Sequence, residues 1–233
     1  MQMDLTLING LRKQARVTVA EQAYTEIRQL LMTGSISPGE KVTLRGLASA
    51  LNISPMPVRD AVSKLVAEGA LQMLPNRTLQ VPKPTLQAFR EIVKIRCCLE
   101  GFAALEAAQH ISEAELNKVR SIAEEYESLA KRAPFDAFLT IETNRRLHFS
   151  VYQAAGMPQL VGMIENIWLQ ISPLFSLSMN NQKRTVENWE SFRHHRDLVA
   201  ALTAGNGEGA REAIVSDITD AARFIEKTGQ LEN

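Results

Sequence analysis

The stretch SPMPVRDAVSKLVAEGAL, residues 54–71, decides the fold of the N-terminal part of this chain. Ser54 is of a type that caps helices by accepting a hydrogen bond from a backbone N–H, and Pro55 and Pro57 fall in the first turn, where a missing N–H costs nothing. Gly69 is expected to end the helix. Between these ends, apolar residues recur at helical spacing and predict one buried face: Val58, Ala61, Val62, Leu65 and Val66.

The flanking segments complete a helix-turn-helix pattern. Upstream, an amphipathic helix is predicted over Val19–Met32 and a short one over Leu44–Leu51, with Asn52-Ile53 as the turn into the next helix. Downstream, LQMLPNRTLQVP, residues 71–82, predicts two short strands around a Pro75-Asn76-Arg77 turn. Three helices followed by a hairpin predict a winged helix-turn-helix.

A two-proline linker, VPKPT at residues 81–85, marks a domain boundary because proline cannot continue a helix. We therefore assign 1–16 to an N-terminal arm, 17–82 to the winged helix-turn-helix and 83–233 to an effector-binding and dimerisation domain. The last of these predicts helices throughout, at 85–109, 112–132, 134–155, 158–180, 186–204 and 207–228. The fold class is mainly α, with a C-terminal antiparallel bundle of six or seven helices.

Composition excludes several classes of protein. The chain has 233 residues, of which 45% are hydrophobic and 22% charged, a normal globular mix. No run of about 18 apolar residues predicts a membrane span, and the start lacks the pattern of a secretory signal. The adjacent Cys97 and Cys98 are interpreted as reduced thiols. We expect a cytoplasmic protein without membrane contact.

The charge distribution separates the two halves of the chain. Net charge is zero overall, which by itself disfavours nucleic-acid binding. Residues 1–84, however, carry 10 basic and 6 acidic side chains, whereas 85–233 carry 16 and 20. Unless this asymmetry is chance, it favours a front part that meets phosphates and a back part that does not.

With these features together, the chain resembles the GntR family of bacterial transcription regulators, in the FadR-type subgroup with an all-helical FCD effector domain. The resemblance rests on PGEKVTLRGLASALNISPMPVRDAVSKLVAEGAL, PNRTLQV, IRCCLEGFAALEAA, NRRLHFSVYQAAG and HHRDLVAALTAGNGEGAREAI. Two features depart from the family pattern: Pro55-Met56 stands where Arg-Thr is usual, and Thr78 where Gly is usual. Both fall at expected DNA contacts, so they weaken any inference about the operator sequence, while the fold prediction is unaffected.

By this resemblance and by position, six residues are expected to face DNA: Arg45, Ser54, Met56, Arg59, Asn76 and Arg77. Arginine suits a bidentate contact with guanine O6 and N7. Ser54 at a helix start suits a phosphate oxygen, and Met56 offers only apolar contact, for instance with a thymine methyl. The alternative is that Arg45 and Arg59 are ordinary solvated charges.

Polar residues interrupt the apolar stripes of three C-terminal helices. Asn144 and His148 lie four residues apart and face the same way, and His195 and Asp217 lie on the stripes of two further helices. Because buried polar groups need partners, these four side chains are expected to meet at one point in the bundle.

The resemblance implies a divalent metal at that point, where family members commonly have Asp, His, His and His. Here Asn144 replaces the first Asp and Asp217 the last His. Two imidazoles, a carboxylate and an amide still suit zinc, nickel or manganese. The alternative is a metal-free cluster held by hydrogen bonds.

Arg96 interrupts another apolar stripe and needs an anionic partner. One interpretation is an ion pair with Glu100 or Glu142, and the other is a clamp for a carboxylate effector, whose shape the guanidinium matches. His194, by contrast, lies off the inner stripe and is expected to be solvated.

These observations predict a ligand-responsive, DNA-binding transcription regulator and not an enzyme. We expect a homodimer that binds a double-stranded operator, commonly as a repressor, and responds to a small carboxylate. Two alternatives stay open. One is a metal-dependent enzyme with a regulatory winged helix, and the other is a regulator with a vestigial sensor domain.

Overall fold

A computed structural model describes residues 17–132, 134–179 and 189–232, so the predicted arm at 1–16 lies outside the described residues. The N-terminal part contains three helices, α1 (Val19–Met32), α2 (Leu44–Ala50) and α3 (Pro55–Ala67). Its strands are β1 (Lys41–Val42), β2 (Gln72–Met73) and β3 (Leu79–Gln80). The predicted winged helix-turn-helix is confirmed.

The sheet contains one strand more than the predicted hairpin. Strand order is β1-β3-β2, and β3 pairs antiparallel with both neighbours. Lys41 lies opposite Gln80, and Val42 opposite Leu79. A two-residue strand shows no alternation that a sequence pattern could reveal, so β1 was missed.

The predicted boundaries of α3 are correct, but Ser54 acts differently from the expectation. Ser54 is the N-cap, yet its side chain makes no capping hydrogen bond to any described residue. An N-cap side chain bonds the N–H of the second or third helical residue, and the third is Pro57, which has none. At the other end, Gly69 adopts φ +73°, which ends the helix at low steric cost.

The C-terminal part is a helical bundle, as predicted. Its described helices are α4 (Leu86–His110), α5 (Glu113–Ala130), α6 (Ala137–Ala154), α7 (Pro158–Met179), α8 (Ser191–Thr203) and α9 (Gly207–Lys227). Helix α4 packs against α6, α7 and α9, and α8 packs between α5 and α9. Phe89, Leu147, Trp168 and Leu198 are among the fully buried side chains of this core.

Helix α7 joins the bundle to the winged helix. Arg28 on α1 pairs with Glu165 on α7 at 3.0 Å. Gly34, just after α1, lies so close to α7 that an added Cβ would be 3.1 Å from the Cβ of Ser176. The two parts therefore touch through α1 and α7.

No helix in the described ranges is long and apolar enough to cross a membrane.

Candidate nucleic-acid interface and metal centre

The six residues expected to face DNA all lie exposed on the winged helix. Arg45 is on α2, Ser54 occupies the N-cap position of α3, and Met56 and Arg59 are on the first two turns of α3. Asn76 and Arg77 form the tip between β2 and β3. None of them belongs to the hydrophobic core.

The two helical arginines are available for a partner. Within the part of the chain that the structure describes, neither Arg45 nor Arg59 forms an ion pair, although 15 ion pairs are found elsewhere in it. An exposed guanidinium that is not paired with a carboxylate is available to bind a phosphate or a base edge.

Hydrogen bonds among residues 74–78 hold the turn at the tip of the wing, between β2 and β3. The Asn76 side-chain oxygen accepts the backbone N–H of Thr78 at 3.1 Å, and the Leu74 N–H donates to the Thr78 carbonyl at 2.8 Å. Arg77 adopts φ +61°, which is uncommon for a residue with a Cβ. Asn76 therefore stabilises the turn, and the Arg77 side chain is exposed at its tip.

In the bundle, three of the four predicted metal ligands come together. His148 on α6, His195 on α8 and Asp217 on α9 are buried, and one ligand atom from each lies within 4.8 Å of the other two. The His148 Nε2 and His195 Nε2 atoms are 3.3 Å and 3.8 Å from Asp217 Oδ2. Asn144 is half-buried and lines the same cavity as His148 and Asp217.

Several polar atoms of this cluster lack a hydrogen-bond partner of good geometry among the described residues. His148 Nε2, both ring nitrogens of His195 and Asp217 Oδ1 are buried without a hydrogen-bond partner among the described residues. Burial opposes ionisation of Asp217, but His148 and His195 outweigh it and hold the carboxyl pKa well below its ordinary value. Burial lowers the pKa of His195, which favours the neutral imidazole that binds metals.

A hydrogen-bond chain sets the tautomer of His148. Tyr152 donates its single proton to Glu100 at 2.6 Å, so its oxygen accepts from His148 Nδ1, 2.8 Å away. A neutral His148 then carries its lone pair on Nε2, facing the Asp217 carboxylate. His148 Nε2 and Asp217 Oδ2 are both electron-rich and lie 3.3 Å apart, so they need a positive charge near them, either a proton or a metal ion.

Arg96 forms the first of its two predicted arrangements, an ion pair. Its Nε and Nη2 atoms lie 2.6 Å and 3.2 Å from the two oxygens of Glu100, and only 4% and 1% of these side chains are exposed. Glu142, the other candidate partner, pairs with Arg145 instead. Arg96 also lies over the ring of Trp168, 5.1 Å from its centroid.

Two cavities meet this centre from different sides. The one lined by Asn144, His148 and Asp217 has a volume of about 30 Å³, enough for an ion or a water molecule and not for an organic effector. A groove between α5 and α8 has a volume of about 320 Å³ and is lined by His195, Phe192 and Tyr126, with two arginines and two glutamates: Arg120, Arg196, Glu124 and Glu127.

The expectation that His194 is solvated is wrong. Only 2% of His194 is exposed, and its Nε2 lies 2.8 Å from Asp220 Oδ2 on α9. Because α8 packs between α5 and α9, two of its faces are buried, and the adjacent His194 and His195 lie near two different aspartates of α9.

Sequence reasoning also missed Tyr152 and the relay that it forms with Glu100. Its position four residues after His148 places the two on one helix face, and this spacing was the available signal. The partner on α4, however, depends on how two helices cross, which the spacing does not give.

Comparisons with known proteins extend over both parts of the chain. Residues 19–81 match the family model described as bacterial regulatory proteins, gntR family, and residues 91–220 match the FCD domain model. The HTH-type transcriptional regulator McbR of Escherichia coli is 26% identical over 205 residues, covering 88% of this chain and 91% of that protein. The HTH-type transcriptional repressor RspR of the same organism is 24% identical over 213 residues, covering 91% of each.

A solved structure shares the architecture. The chain is similar to the structure titled E. coli McbR/YncC with a TM-score of 0.84 and 25% identity, over 91% of this chain and 99% of that one.

Proposed function

This chain belongs to the GntR family and carries an FCD domain behind its winged helix-turn-helix, and on that premise we propose that it is a ligand-responsive regulator that binds operator DNA as a cytoplasmic homodimer. The observation that carries the proposal is Arg59 near the start of α3, which is exposed and forms no ion pair with a described residue. In this motif, that helix enters the major groove. A two-fold dimer presents two such helices to a near-palindromic site. Since its relatives are transcription regulators, we assign no catalysis.

Operator binding is tested with the Arg59→Ala variant. Binding sites are selected from random duplexes by the wild-type chain, and affinity is measured by fluorescence anisotropy at moderate salt. We expect Arg59→Ala to abolish specific binding with an unchanged helical CD spectrum, because two lost guanine contacts cost about 2–6 kcal/mol. Arg211→Ala, an exposed arginine on α9, is the matched control and should bind normally. Equal affinities for all three chains would refute the DNA-facing assignment.

We further propose that the centre binds one divalent metal ion. His148, His195 and Asp217 would hold it, with Asn144 beside them. The bound ion would supply a positive charge that attracts an anionic ligand. The buried nitrogens without hydrogen-bond partners among the described residues favour this over a hydrogen-bonded cluster.

Metal binding is tested by elemental analysis after loading with zinc, nickel or manganese and removal of free ions. The wild type should retain about one ion per chain, and His148→Ala should lose it. His110→Ala is the control, since that histidine is exposed near the end of α4. A wild type that retains no metal would refute the proposal.

The effector is proposed to be a small carboxylate that approaches through the groove between α5 and α8. The Nε and Nη2 atoms of Arg96 already bind Glu100. The groove is lined by Arg120 and Arg196 but also by Glu124 and Glu127, and Arg196 lies 3.8 Å from Glu127, so the proposed metal ion would supply the main attraction for an anion. Binding would regulate DNA affinity only through its different affinity for two arrangements of the winged helices.

A thermal-shift panel of organic acids, with and without metal, tests this effector class. A stabilising acid whose effect disappears in Val199→Trp, which fills the groove wall, supports the proposal. No shift with any acid would instead favour a vestigial sensor domain.

A further inference from the structure

The first turn of α3 presents an exposed methionine. Met56 exposes 68% of its surface and takes no part in the buried face to which Val58 belongs. It lies between Pro55 and Pro57, neither of which has a backbone N–H to donate. This end of the helix therefore offers a flexible thioether where hydrogen-bond donors are usual.

Only one base-edge group in the major groove is apolar. Guanine, cytosine and adenine present donors and acceptors there, whereas thymine adds a C5-methyl group. Methionine is unbranched and polarisable, and it adapts to small apolar surfaces. Resting on the proposed function, in which α3 enters the major groove, we propose that Met56 reads the methyl group of a thymine at one defined position in each operator half-site.

The helix geometry restricts where that thymine lies. Met56 and Arg59 are three residues apart and share an exposed side of α3. At about 1.5 Å per residue their separation along the axis is about 4.5 Å, slightly more than one base-pair step of about 3.4 Å. The methyl-bearing base pair therefore lies within about two steps of the guanine contacted by Arg59.

The Ser54 hydroxyl supports an orientation of α3 in which Met56 faces the base edges. It makes no capping bond to a described residue, so it keeps its hydrogen-bonding capacity for a phosphate at the groove edge. A phosphate contact by Ser54 holds the start of α3 against the backbone, which brings Met56, two residues on, towards the base edges.

The test removes a single methyl group at a time. Starting from the operator selected by the wild-type chain, each thymine of the half-site is replaced by deoxyuridine, which keeps the base pair and loses only the methyl. We expect one position per half-site at which wild-type affinity falls about fourfold, the effect of exposing one buried carbon. An operator with a 5-methylcytosine–guanine pair at that position should bind the protein more tightly than one with an unmethylated cytosine–guanine pair.

A double-mutant cycle assigns the effect to Met56. Met56→Ala should bind the thymine and deoxyuridine operators equally, because the contact is already absent. Met163→Ala, an exposed methionine on α7, should keep the full wild-type difference. Both substitutions are at exposed positions, so both chains should fold, which CD verifies.

The outcomes separate this inference from the proposed function. If no thymine methyl affects wild-type binding, or if the difference persists in Met56→Ala, the inference is wrong and the operator assignment stands. If selection enriches no sequence at all, the proposed DNA-binding function fails, and the inference fails with it.

Discussion

Replacing Glu100 by glutamine is expected to destabilise the bundle strongly. The substitution keeps the side-chain shape but removes the charge that neutralises Arg96, of which only 4% is exposed. Removing one partner of a buried ion pair leaves an uncompensated charge and costs about 3–5 kcal/mol. For a chain of this size each kcal/mol corresponds to about 2–4 °C, so the melting temperature should fall by roughly 6–20 °C.

A second substitution identifies the cause. In Arg96→Met/Glu100→Gln the orphan charge is gone, while the glutamine oxygen still accepts the Tyr152 proton. This variant should recover at least half of the lost free energy of unfolding. Urea unfolding followed by CD, in a buffer with chelator so that metal does not contribute, measures all three chains. A loss below about 1 kcal/mol for Glu100→Gln, or no recovery in the double variant, would refute the reasoning.

Three further substitutions test local features of the fold. Ser112→Ala should lower the free energy of unfolding by about 1 kcal/mol because Ser112 and Glu115 form a capping box, whereas Ser54→Ala should change it by less than about 0.5 kcal/mol because its hydroxyl caps nothing among the described residues. Equal losses in urea unfolding would contradict this difference. Gly69→Ala places a Cβ at φ +73° and should cost about 1 kcal/mol, and a variant as stable as the wild type would contradict the left-handed helix end.

The long helices were predictable because their apolar repeats extend over several turns. Helix α9 was predicted at 207–228 and is found at Gly207–Lys227. Helix α5 was predicted at 112–132 and is found at Glu113–Ala130. Strand β1 was not predictable, since it is two residues long and its partner β3 lies far along the chain.

For the proposed metal centre, the sequence predicts which side chains come together and not their surroundings. Apolar stripes interrupted at His148, His195 and Asp217 indicate inward-facing groups, and the structure brings them together. The series of hydrogen bonds from Arg96 through Glu100 to Tyr152 depends on the crossing of α4 and α6. The burial of His194 depends on the packing of α8 between α5 and α9. Both depend on tertiary packing, which periodicity within one helix does not determine.

Anomalous X-ray scattering at the zinc edge, from crystals of zinc-loaded protein, tests the metal centre most directly. We predict one peak per chain, about 2.0–2.2 Å from a ring nitrogen of His148, a ring nitrogen of His195 and an oxygen of Asp217. A map without a peak there, with the two imidazoles and the carboxylate hydrogen-bonded to one another instead, would contradict a metal-binding sensor behind the DNA-reading domain.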